Sequence, residues 1–67
     1  MSMSKSEAAA HVLMSADYWS RDGDPCYKPT KAEKESAINM AFDHLYYSHG
    51  FSFSLAEIVA LKRTFGV

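Results

Sequence analysis

The sequence predicts an all-α protein whose three short helices form a small bundle. Three residues suited to cap a helix N-terminus, Ser4, Thr30 and Ser54, each precede a glutamate by three positions, which is the capping-box pattern. No segment shows the alternation of apolar and polar residues that is typical of a strand. We therefore expect a single domain over residues 1–67, with helices at about 4–20, 30–49 and 54–65.

The first helix is indicated by three consecutive alanines followed by leucine and methionine, all strong helix formers. At about 100° per residue, one arc carries the side chains expected to face the core. These are Ala9, Val12, Leu13, Ala16 and Trp19. Met14 and Tyr18 fall on the opposite side, where a simple monomer would carry polar residues.

The central helix is the longest helical segment, and we expect it to be the hub of the core. A loop precedes it, because Asp24 and Lys28 each stand before a proline that disfavours helical geometry. Its apolar arc consists of Ala37, Ile38, Ala41, Phe42, Leu45 and Tyr46. Met40 and Tyr47 fall on the opposite side, so this helix repeats the pattern of the first.

The third helix follows a short connection that starts at Gly50, a residue that ends helices readily. A short connection predicts an antiparallel pair formed with the central helix. The apolar arc of the third helix consists of Leu55, Ile58, Val59, Leu61 and Phe65. A more open helical arrangement completed by a second copy is the alternative architecture.

The methionines and tyrosines outside the apolar arcs, Met14, Tyr18, Met40 and Tyr47, indicate a protein interface, because both residue types are enriched where proteins bind each other. In so small a bundle these four residues could instead belong to the core, with the predicted core face assigned to the wrong side of each helix. A chain of 67 residues buries only about 60% of its surface, and one cysteine allows no internal disulfide. We therefore expect homodimerisation.

Most basic residues lie at one end of the bundle if consecutive helices run antiparallel to each other. They are Arg21, Lys28, Lys31, Lys34, Lys62 and Arg63, six of the seven in the chain. Such a cluster could bind phosphate groups. Acidic residues fall at the same end, so an ordinary surface of mixed charge is the competing interpretation.

The segment Gly50–Ile58 resembles a Gly-Phe-Ser-Leu-x-Glu-Ile segment of MerR-type regulators, with an extra Phe-Ser. A turn followed by a helix is also the arrangement that helix-turn-helix proteins use to read DNA. The third helix offers Glu57, Lys62 and Arg63 on its exposed side but no Asn or Gln to read bases. A small DNA-binding regulator is therefore the alternative function.

No residue pattern indicates catalysis, a metal site or a cofactor. Asp43 and His44 are adjacent, so their side chains diverge by about 100° on a helix and do not form an oriented acid–base pair. His44 and His49 lie five residues apart, which is not the metal-binding spacing of four. His49 falls near the core arc at the helix end, where its positive form would complement the helix dipole.

We therefore expect no enzyme activity. The first fifteen residues carry no arginine-rich start and no long apolar run, so we expect neither a signal peptide nor a membrane span. Its single thiol favours a cytoplasmic location, because reducing compartments keep thiols free.

Across its whole length the chain is similar in size and style to the small early accessory proteins of temperate lambdoid bacteriophages. That resemblance implies a short, helical protein in the host cytoplasm. It also implies a modulator of a host or phage regulatory factor, acting by protein–protein contact.

Overall fold

Three α-helices account for most of residues 3–67, the part of the chain that the computed structural model describes. They are α1 Lys5–Ser20, α2 Lys31–His49 and α3 Leu55–Phe65. No strand is formed in these residues. The prediction of an all-helical fold is confirmed, and each helix begins one residue later than predicted because the capping residue itself is extended.

The N-terminus of each helix is satisfied by the predicted capping residue. At α2 and α3, the Thr30 and Ser54 hydroxyls accept from a backbone N–H of the first turn, and a glutamate accepts from the backbone N–H of the capping residue. These reciprocal pairs form the predicted capping boxes. At α1 the structure shows one half of the pair, in which the Ser4 hydroxyl accepts from the Glu7 N–H at 3.1 Å.

The turn between α2 and α3 depends on Gly50, whose φ of 72° lies in the left-handed region. Its N–H donates to the Tyr46 carbonyl at 3.0 Å, and the next N–H, of Phe51, donates to the Leu45 carbonyl at 3.1 Å. A side chain at position 50 would strain this conformation, so glycine ends α2 here.

The core lies between α1 and α2. The two helices approach through one stripe each and form a buried cluster with an exposed fraction of 1% or less per residue. Its members are Ala8, Val12, Ala16, Ile38, Ala41 and Leu45. Half of these side chains are alanines, which let the two backbones come close but bury little area.

Helix α3 lies across one side of the α1–α2 pair and contributes no fully buried residue. Near its start, the Glu57 carboxylate accepts from Lys5 Nζ at 2.9 Å. Near its end, Lys34 Nζ lies 5.6 Å from the centre of the Phe65 ring. Since Lys34 is in the first turn of α2, helix α3 runs antiparallel to α2, as predicted.

Five residues placed in or near the core by periodicity are exposed in the structure. They are Trp19, Tyr46, His49, Leu55 and Val59. Tyr46, Leu55 and Val59 lie on flanks of their predicted arcs that no neighbouring helix covers, whereas Trp19 and His49 lie in the last turns of α1 and α2. Ala9 and Leu13, also on the predicted arc of α1, are half-buried.

No helix in residues 3–67 combines the length and apolar character that crossing a membrane requires.

Replacing Ile38, which has no exposed surface, with alanine is expected to lower the free energy of unfolding by about 2–5 kcal/mol. Asn39→Ala is the matched control, because Asn39 is the next residue of α2 and is exposed, and we expect it to change the free energy of unfolding by about 0.5 kcal/mol or less. Urea unfolding followed by circular dichroism at fixed protein concentration measures both. Equal losses would contradict the placement of the core.

The Lys5–Glu57 contact predicts a specific acid dependence. The hydrogen bond from Lys5, with a second one from the Ser54 backbone N–H, lowers the pKa of the Glu57 carboxyl. The contact therefore stabilises the fold above the ordinary glutamate value of about 4.3, and this stabilisation is lost as the pH falls through the lowered pKa. We expect the free energy of unfolding to fall less between neutral and acid pH in Glu57→Gln than in the original chain, as measured by urea unfolding at each pH. Glu35→Gln, at an exposed position of α2, should leave the acid dependence unchanged.

Candidate interaction surface

The four methionine and tyrosine residues predicted to form an interface are all exposed. The exposed fractions are 70% for Met14, 63% for Tyr18, 56% for Met40 and 82% for Tyr47. None of them belongs to the buried cluster. The alternative in which these four residues form the core therefore does not describe this structure.

These residues form two separate stripes. Met14 and Tyr18 lie on the side of α1 that faces away from its buried residues, and Met40 and Tyr47 lie on the corresponding side of α2. Because α1 and α2 pack against each other through their buried residues, both Met/Tyr stripes lie outside the contact between these two helices.

Met40 instead joins a concave surface at the end of the molecule that holds the α1–α2 loop. This concavity, which we call the Trp19 groove, has a volume of about 640 Å³. That volume is within the range of natural ligand sites. Its walls are formed by Trp19, Ser20, Arg21, Asp22, Asp24, Tyr27, Glu33, Ser36, Ala37 and Met40.

Arg21 shapes the loop that forms one wall of the groove. Its Nε donates to Asp17 Oδ1 at 3.0 Å, and its Nη1 donates to the carbonyls of Pro25 and Tyr27 at 3.1 and 2.9 Å. The guanidinium therefore hydrogen-bonds to the loop carbonyls and to one carboxylate. From the sequence we grouped Arg21 with a basic surface, whereas in the structure it stabilises the loop.

Tyr27 and Glu33 tie the loop to the first turn of α2. The Tyr27 hydroxyl donates to the Glu33 carboxylate oxygens at 2.8 and 3.0 Å. This hydrogen bond raises the pKa of Tyr27. The pKa of Glu33 is lowered, first by the Thr30 backbone N–H and then by Tyr27. Glu33 therefore stays ionised in the lining of the groove at neutral pH.

The groove carries an excess of negative charge. Three carboxylates line it, those of Asp22, Asp24 and Glu33, against the single guanidinium of Arg21. Arg21 is in addition paired with Asp17 at 3.0 Å. The groove is thus lined by both apolar and acidic residues.

Trp19, the single tryptophan of the chain, is the groove residue that the sequence assigned to the core. It is 39% exposed, and its ring meets the edge of the His44 ring with 6.1 Å between centroids. Its position in the last turn of α1, directly before a polar loop, was the available signal that a neighbouring helix would not cover it fully.

Helix α3 presents a second exposed apolar feature. Leu55 is 77% exposed and Val59 is 41% exposed. With Arg63, also exposed, they follow a spacing of four residues and lie along one side of the helix. We call these three residues the α3 ridge. On the other side of α3, Ile58, Leu61 and Phe65 are half-buried.

The predicted clustering of basic residues is found in part. Lys34 Nζ lies 5.6 Å from the Phe65 ring centre, which places it beside the last turn of α3, the turn that also carries Lys62 and Arg63. Arg63 lies on the side of α3 away from Phe65. Glu33 and Lys34 are adjacent on α2, so their side chains diverge by about 100°. As a result, Glu33 lines the groove while Lys34 points toward α3. The charges at this end are segregated, although their sum is small.

Two contacts near His44 were not expected from the sequence. The His44 Nδ1 lies 3.4 Å from the Ser48 Oγ, and the His44 and His49 rings meet edge-on with 5.8 Å between centroids. The histidine rings therefore lie closer than their angular separation on the helix suggested, because long side chains can turn toward each other. Within residues 3–67, no three His, Cys, Asp or Glu side chains are grouped as a metal site.

Comparisons with known proteins found no family model, no curated protein and no solved structure that matches this chain. The surface of residues 3–67 combines exposed apolar side chains, separated charges and a groove, which are the features of a binding surface.

Proposed function

We propose that this protein is a small non-enzymatic interaction module that acts by protein–protein contact and associates with itself. The observation that carries the proposal is the set of nine large apolar side chains that are exposed among the described residues. Methionine, tyrosine and tryptophan provide most of them, and these residue types are enriched at interfaces.

The total surface supports the same proposal. The chain exposes 4671 Å², whereas a compact monomer of 7.5 kDa is expected to expose about 4,250 Å². The chain therefore exposes about 400 Å² more than this expectation, which leaves surface for burial against another chain. Association would also add stability that so thin a core does not supply by itself.

The wider setting follows from the resemblance to early accessory proteins of temperate lambdoid phages. On that basis the module works in the cytoplasm of a bacterial host, and its target beyond itself is a host or phage regulatory factor. Its apolar surface and mixed charge are suited to such a partner without any cofactor.

Replacing Met40 and Tyr47 together with glutamate tests the proposed interface. Both side chains are more than half exposed, so the helical circular dichroism signal should be retained. Light scattering across a range of concentrations should give twice 7.5 kDa for the original chain and 7.5 kDa for the variant. The Ser6→Glu/Ser52→Glu chain is the control, since it adds the same charge at exposed polar positions. A variant that associates as well as the original chain would contradict an interface at Met40 and Tyr47.

A DNA-binding regulator is the second candidate, favoured by the proximity of Lys34 to the last turn of α3 with Lys62 and Arg63. Against it, the exposed side of α3 presents Leu55 and Val59, which offer no hydrogen bonds to bases.

We expect no gel shift with duplex DNA at low salt, because the net charge of the chain is −1. A shift that fades steeply with added salt, and that is lost in Lys34→Glu/Lys62→Glu, would establish the second candidate instead.

A further inference from the structure

We infer that the α3 ridge of one copy docks in the Trp19 groove of a second copy. This inference rests on the proposed self-association and specifies the surfaces that carry it. The two surfaces belong to the same chain, and they are complementary in both polarity and charge.

The groove provides the receiving surface. Trp19 and Met40 are 39% and 56% exposed, and together with Ala37 they form the apolar part of its lining.

Asp22, Asp24 and Glu33 line the same groove. Asp24 Oδ1 accepts from the Cys26 N–H at 2.9 Å. The Glu33 carboxylate accepts from Tyr27, and all three carboxylates contribute negative charge. An occupant should therefore combine an aliphatic side chain with a positive charge beside it.

The ridge provides that combination. Leu55 and Val59 are aliphatic, exposed and one helical turn apart, and Arg63 follows one turn later. Lys62 and Arg63 both lie in the last turn of α3. The one carboxylate in the first turn of α3, Glu57, is engaged by Lys5 at 2.9 Å, so its charge is compensated.

A two-fold arrangement uses each surface twice. In a closed dimer of this kind, the ridge of each copy meets the groove of the other, and both contacts are equivalent. A stable interface needs about 800 Å² from each partner. One groove of about 640 Å³ accommodates a few side chains, so two contacts reach that area more readily than one.

Charge exchange between the surfaces tests the pairing. The ridge variant is Arg63→Glu. The groove variant is Asp22→Asn/Ser36→Lys, which retains a residue type tolerated at the positive φ of 52° at position 22. In each variant alone, like charges face each other in both contacts. We expect the dissociation constant of the dimer to rise about tenfold or more in each.

The equimolar mixture of the two variants should restore the dimer. In the mixed pair, the lysine introduced at position 36 of one chain faces the glutamate introduced at position 63 of the other, and the second contact keeps its original charges. Light scattering gives the mass, and Trp19 emission reports burial of the groove. Chains that failed to fold could not regain association on mixing, so restoration also confirms that both variants are folded.

Matched controls carry the same charge changes outside the two surfaces. Lys31→Glu is the control for the ridge variant, and Glu35→Lys is the control for the groove variant. Both positions are exposed on α2. Both controls should dimerise like the original chain.

Three results would overturn the inference. Variants that dimerise normally would show that the dimer contact lies outside the ridge and the groove. Variants whose mixture stays monomeric would show that the ridge does not contact the groove. In both cases the proposed function stands if the Met40/Tyr47 variant loses association. An original chain that stays monomeric, with Trp19 emission shifted by an arginine-rich helical peptide, would assign the groove to a foreign segment.

Discussion

The close contact between α1 and α2 through small side chains is the constraint on which the rest of the structure depends. Ala8, Ala16 and Ala41 sit fully buried at this contact, and the largest fully buried side chains are Ile38, Leu45 and Val12. Such a contact brings two backbones together but removes little apolar area from water. The core is therefore thin, and much of the apolar content of the chain remains on its surface.

Helix α3 shows the consequence most clearly. It is held at its two ends, by Lys5 and Glu57 at one end and by the Lys34 contact with Phe65 at the other, and none of its side chains is fully buried. A helix attached in this way keeps one apolar side against the α1–α2 pair and leaves another facing outward. Phe65 packs against the buried cluster, whereas Leu55 and Val59 are exposed because they lie on the outward side of α3.

The loop between α1 and α2 converts an almost neutral charge balance into separated charges. Arg21 donates hydrogen bonds to the loop carbonyls, so it does not pair with the loop aspartates that line the groove. Glu33 and Lys34 are neighbours in the sequence, but the helix turns them toward different surroundings. Counting charges at this end of the molecule therefore underestimates the local fields, and it is these local fields that select a partner.

The sequence by itself determined the local elements of this protein. Ser4, Thr30, Ser54 and Gly50 set the helix boundaries through hydrogen bonds and backbone angles that involve only nearby residues, so they could be read without knowing the fold. The antiparallel course of α3 followed from the short connection after Gly50. The buried residues Ala16, Ile38 and Leu45 were also predictable, because they lie near the centre of their apolar arcs.

Only the tertiary structure decided which flanks of those arcs are covered. Tyr46, Leu55 and Val59 lie on their predicted arcs beside residues that are buried or half-buried, and periodicity cannot distinguish them. Their exposure depends on how closely α1 and α2 approach and on which side α3 lies. The same packing brings Trp19, Met40 and the loop aspartates together as a groove. Burial at the edge of an arc is set by neighbours distant in sequence, and hydropathy along one helix carries no information about them.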